Sequence, residues 1–229
     1  MRRATLALAA LAGLTACAGN SIDYAYSSAR IGNLEIRIVN SPVGASFDLA
    51  GVSPAAGKIN AYTKHWRDEQ AASARECRSN GDPGWQSKLT AKQVIGRYLL
   101  VIDETGQNVC GGALDNSHHY TDIFDLDSGD KVNACGWLAG RCEGLENYGH
   151  PLSRLGEMIK ERARTSPGCQ ILSSMYGVPE PYPTADGLAF PTIHDAKDCD
   201  VEVLVSYDEI APFLSAEGKK VVAGLKGLR

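Results

Sequence analysis

The sequence holds no phosphate-cradling P-loop, no dinucleotide-binding glycine fingerprint, no nucleophile elbow and no paired CxxC. Each absence removes a chemistry that announces itself through local spacing, and no cofactor is implied by any motif. Internal repeats, heptads and charge blocks are also missing, which excludes solenoids and long coiled coils. A basic excess is lacking too: Lys and Arg number 23 against 27 Asp and Glu, for a net charge of −4. Nucleic-acid binding rests on basic side chains that replace phosphate counterions, so that class of partner is disfavoured. Nor is there an apolar run of the roughly 20 residues that a membrane-spanning helix needs.

What the chain does have begins at its N-terminus. Arg2-Arg3 precede the small and apolar run Ala4–Leu14, the layout of an export signal that is excluded from the fold. Leu14-Thr15-Ala16-Cys17 closes this run and resembles the lipobox of bacterial lipoproteins. That resemblance implies that residues 1–16 are removed and that Cys17 becomes a diacylglycerol-bearing, acylated N-terminus. Several acyl chains on one residue make a firm membrane anchor. Alanine rather than aspartate after Cys17 is similar to the signal for transfer to the outer membrane, with the domain facing the periplasm or the cell surface. The alternative is ordinary cleavage at the small residues Ala16-Cys17-Ala18, which releases a soluble protein. Losing Arg2 and Arg3 takes the net charge from −4 to −6.

Cysteine parity bears on the choice. Of 7 cysteines, lipidation of Cys17 leaves Cys77, Cys110, Cys135, Cys142, Cys169 and Cys199. An even set in an exported chain is the arithmetic of three disulfides. The pairing is open in principle, and sequential pairing (77 with 110, 135 with 142, 169 with 199) is the simplest expectation.

Hydrophobic patterning points to an α+β fold: a single disulfide-stabilised domain over residues 33–229, with an antiparallel-leaning sheet and a few helices. Residues 17–32 read as the lipidated N-terminus and a polar tether. Leu34, Ile36 and Ile38 alternate with charged residues as in a half-buried strand. Residues 40–60 read as loop, 61–77 as helix with Tyr62 and Trp66 one turn apart, and 97–103 as strand. Pro151 opens a helix with Leu152, Leu155, Met158 and Ile159 on one face. Val201, Val203 and Val205 mark a further strand, and the tail from Asp208 reads as helix interrupted near Gly218.

Candidate chemistry gathers in residues 108–130. Cys110-Gly-Gly-Ala-Leu is similar to a stretch of chymotrypsin-like proteases, but the histidine and serine elements of that family are absent, so no triad can be assembled. His118-His119 with Asp122, Asp125 and Asp127 offers a metal alternative, with His150 or the His194-Asp195 pair as outside contributors. In an extended segment His118 and His119 point to opposite faces, so at most one could join those carboxylates. Asp125-Leu-Asp127-Ser-Gly129-Asp130 departs from EF-hand order, because its glycine comes one position early; an Asp-Ser-Gly turn is the simpler reading.

Cys135 and Cys142, if paired, close a small ring holding Trp137 and Arg141. Such a ring must either lean the indole on the domain or present it outward beside Arg141 as a preorganised binding loop. The expected function is an envelope lipoprotein whose stapled domain binds another envelope protein or a glycan. The alternative is an exported hydrolase, possible with metal assistance from the His and Asp residues.

Overall fold

The computed structural model describes residues 24–79, 85–105, 118–145, 149–165, 180–192 and 201–227. The fold is α+β. Seven strands form one sheet in sequence order: β1 (Ala25–Ile31), β2 (Leu34–Ser41), β3 (Gly44–Leu49), β4 (Ser87–Ile95), β5 (Tyr98–Thr105), β6 (His118–Asp125) and β7 (Lys131–Val132). All neighbours are antiparallel except β3 and β4, which are joined through the long helix α1 (Pro54–Ser79). A second, three-stranded antiparallel sheet follows, formed by β8 (Tyr182–Pro183), β9 (Gly187–Thr192) and β10 (Val201–Ser206) in the order β10-β9-β8. Around it lie α2 (Ser153–Arg164), α3 (Tyr207–Ile210) and α4 (Ala216–Lys226).

Strand alternation divides the core in two. Leu99 and Val101 of β5 and Phe124 of β6 join Ile59 and Trp66 of α1, together with Ile36, Phe47 and Leu89. The intervening residues Tyr98, Leu100 and Ile123 join Trp137, Leu155, Ile159, Phe190 and Val205. The period-two pattern thus buries both faces of β5, which reads as a continuous apolar run for that reason.

Several expectations need correction. Residues 25–31, read as tether, are strand β1. Ile31 pairs Leu34 across the two-residue turn Gly32-Asn33, where Gly32 takes φ +59°; Gly at the first turn position is the hairpin arrangement that matches strand twist. Residues 44–49 and 54–60, read as loop, are β3 and the first two turns of α1. Ser53 caps that helix by accepting from the Ala56 amide at 3.0 Å, with Pro54 at the first helical position. The tail helix breaks before Gly218, at Leu214-Ser215, where the Ser215 hydroxyl accepts from the Gly218 amide at 3.0 Å. Gly218 lies inside α4, and glycine is required there because a Cβ would overlap the Trp137 carbonyl.

Candidate functional site

Residues 118–130 comprise β6 and the turn after it. His118 and His119 take its first two positions, opposite Thr105 and Glu104, and their side chains lie outside the described residues. Asp122 and Asp125 are separated by strand alternation. Asp122 faces α1, where it accepts a short hydrogen bond from the Tyr62 hydroxyl and pairs with the Lys131 ammonium at 2.5 Å. Burial, reinforced by Asp122, pushes the Tyr62 phenol well above its usual pKa. Asp125 belongs to the turn. It accepts from the Asp127 and Ser128 amides at 2.8 and 3.3 Å and pairs with Arg97 at 2.6 Å. Gly129, at φ +73°, finishes the turn with its backbone against Ala55, where a Cβ would overlap. Asp127 is solvent-facing, 3.5 Å from Arg97. The carboxylates proposed as one ligand set therefore serve two structural assemblies. His194 and Asp195 lie outside the described residues.

The Cys135–Cys142 disulfide is present. Cys77, at the end of α1, is disulfide-bonded as well; Cys17, Cys110, Cys169 and Cys199 lie outside the described residues. Of the two placements open to Trp137, the structure has the buried one. Its side chain is 2% exposed and tilts against Tyr98 with ring centroids 5.5 Å apart. Outward presentation beside Arg141 is thereby corrected. The ring is clamped to the C-terminal segment: the Ser215 amide donates to the Trp137 carbonyl and the Ala139 amide to the Phe213 carbonyl, both at 2.8 Å. The His150 imidazole occupies the space that side chains at Gly140 and Gly144 would fill. Arg141 remains exposed, at φ 57°.

Of the carboxylates whose ionisation is shifted, Asp48 and Glu180 are the ones withdrawn from solvent. At Asp48 burial opposes the charge, but hydrogen bonds from Arg37 and Arg67, with Thr63, outweigh it and hold the group below the usual range. At Glu180 burial pushes the pKa up, against the hydrogen bond from the Ala134 amide. A carboxyl whose folded pKa lies above its unfolded value loses stability as pH rises through that window. Glu180→Gln, which keeps an acceptor for the Ala134 amide, should therefore raise the urea midpoint at pH 7 and change it little at pH 4. An equal shift at both pH values would show that the charge is not the cause.

An open cleft of about 390 Å³ occurs where β3 and β4 meet, lined by Asn40, Ser41, Pro42, Gly44, Gln86 and Lys88 among others. The two strands pair only at Gly44↔Ser87 and Ala45↔Lys88. Gly44 permits this approach: it takes φ +141°, and a Cβ would overlap the Ser87 carbonyl. Beyond that point α1 serves the open side of β3. Asn60 bonds the Leu49 amide and carbonyl at 2.7 and 3.0 Å, and Arg67 donates to the Phe47 carbonyl at 3.3 Å. The cleft thus collects amides, a hydroxyl and an ammonium from segments 40–45 and 86–88. Such a lining orients a hydrogen-bonding ligand. Sequence reasoning missed it; the one local signal was Ser41-Pro-Val-Gly44, a turn sequence ending on glycine.

The sequence matches no protein-family model and no curated protein. The structure is similar to that of a DUF3298 family protein from Pseudomonas aeruginosa PAO1, with a TM-score of 0.55 over 86% of this chain and 94% of that one, at 11% sequence identity. At that identity, what the two chains share is the fold.

Proposed function

We propose that this chain is an exported lipoprotein, acylated at Cys17 and held at the bacterial outer membrane, whose α+β domain binds another envelope protein or a glycan. The binding half rests on the polar cleft between Asn40 and Lys88, whose donors and acceptors suit a hydroxyl- or amide-rich partner. Export is supported by the disulfide-bonded state of Cys77, Cys135 and Cys142, because such bonds persist in oxidising compartments.

Mass spectrometry of the membrane fraction should find the mature N-terminus at Cys17 carrying lipid. An unmodified N-terminus downstream would sink the anchor. For binding, the protein is presented separately to purified cell-wall glycan and to solubilised envelope proteins. One arm should show saturable capture that Asn40→Ala with Lys88→Glu weakens at least tenfold. Both residues are exposed, and surface changes usually alter stability by about 0.5 kcal/mol or less, so the melting temperature should hold. Undiminished capture by the double variant would place the binding surface elsewhere.

A further inference from the structure

A second concavity lies at the other end of β4, where the Gly96-Arg97 turn faces one side of α4. This groove measures about 500 Å³ and is lined by Arg97, Tyr98, Lys220, Val221, Gly224 and Leu225. That volume falls within the range of small-molecule sites, roughly 300–1,000 Å³. Helix periodicity builds one wall. Val221 and Leu225 form a row one turn apart that dips toward the core, and Lys220 and Gly224 form the outer row beside it. A Cβ at Gly224 would meet only open space, so no packing contact requires glycine there. Yet glycine within a helix is less favourable than alanine. What its small size does is leave the groove open.

We propose that this groove binds a single-chain anionic amphiphile, a fatty-acid-like carboxylate, with its acyl chain along Tyr98, Val221 and Leu225 and its head at Lys220. Charge favours an anion. Arg97 is already balanced by Asp125 at 2.6 Å and Asp127 at 3.5 Å, but Lys220 makes no ion pair among the described residues. Hydrogen bonding favours an acyl chain over a polypeptide. Among the lining side chains only the Tyr98 hydroxyl can accept a hydrogen bond. A peptide laid there would find almost no side-chain acceptor for its amides, whereas an alkyl chain needs no partner. The site is separate from the cleft, which lies near Ser87 at the opposite end of β4, so the failure of either reading leaves the other standing.

The test uses the full chain carrying Cys17→Ser, so that no lipid of its own competes, and calorimetric titration below micellar concentrations. Dodecanoate should bind saturably with one site, and dodecylammonium, equal in chain length and opposite in charge, at least tenfold more weakly. Lys220→Glu should weaken dodecanoate at least tenfold and narrow or invert that preference. Gly224→Phe, which projects into the groove, should abolish binding of both without lowering the melting temperature. Equal affinity for the two amphiphiles, no saturable binding, or a Gly224→Phe protein that binds as before would overturn the proposal.

Discussion

Trp137→Ala should destabilise the protein by about 3–5 kcal/mol, the range for removing a large aromatic side chain from a packed core. The indole is 2% exposed and its cavity would open between Tyr98, Ala134 and Leu138 on one side and the C-terminal segment on the other. The backbone around it cannot collapse to fill the space. The disulfide pins the ring, the Trp137 carbonyl accepts from the Ser215 amide, and Gly218 is already in contact with that carbonyl. Chemical denaturation gives the number directly. A loss below about 1 kcal/mol, together with loss of partner capture, would instead restore Trp137 to a recognition role.

Asp48→Ala should cost about 3 kcal/mol, because it leaves a largely buried cation without its counter-charge. The Arg67 side chain is only 16% exposed and meets Asp48 at 2.8 Å, while the Asp48 side chain itself is 9% exposed. Arg37 of β2 reaches the other carboxylate oxygen at 2.8 Å, and the Thr63 hydroxyl of α1 donates at 3.1 Å. One carboxylate therefore ties β2, β3 and α1 together. Arg37→Ala provides the contrast: that side chain is 56% exposed, its pair with Asp48 is screened by solvent, and its removal should cost far less than that of Asp48. The folded pKa of Asp48 is depressed, so its contribution is complete above the ordinary carboxylate range and disappears as pH falls through the depressed value. In urea melts from pH 7 down to pH 2, the acid-side loss of stability should be shallower for Asp48→Ala than for the parent.

Where periodicity and burial coincide, the sequence is readable. Leu152, Leu155 and Ile159 recur at helical spacing and are all buried by α2 and its approach; Val203 and Val205 alternate and are buried in β10. The α+β class and the antiparallel sheet follow from such segments. β3 escaped because Ser46 and Asp48 are buried polar residues, which interrupt the apolar pattern, and because part of its edge is bonded by Asn60 and Arg67 rather than by a strand. β1 escaped because an edge strand exposed on most of its length has no apolar code. Gly218 misled for a different reason: a glycine that breaks a helix and one that admits a neighbouring carbonyl look alike in one dimension. The cleft was illegible because residues 40–45 and 86–88 meet only after α1 has carried the chain back.

The early start of β1 sets a leash. Only seven residues separate Cys17 from Ala25, where the sheet begins. Even fully extended, that span covers roughly 25–30 Å, whereas a free tether running to residue 32 would nearly double the radius. If Cys17 is acylated as proposed, that span holds the domain close to the lipid headgroups. A partner must then come within that short radius of the bilayer to be caught.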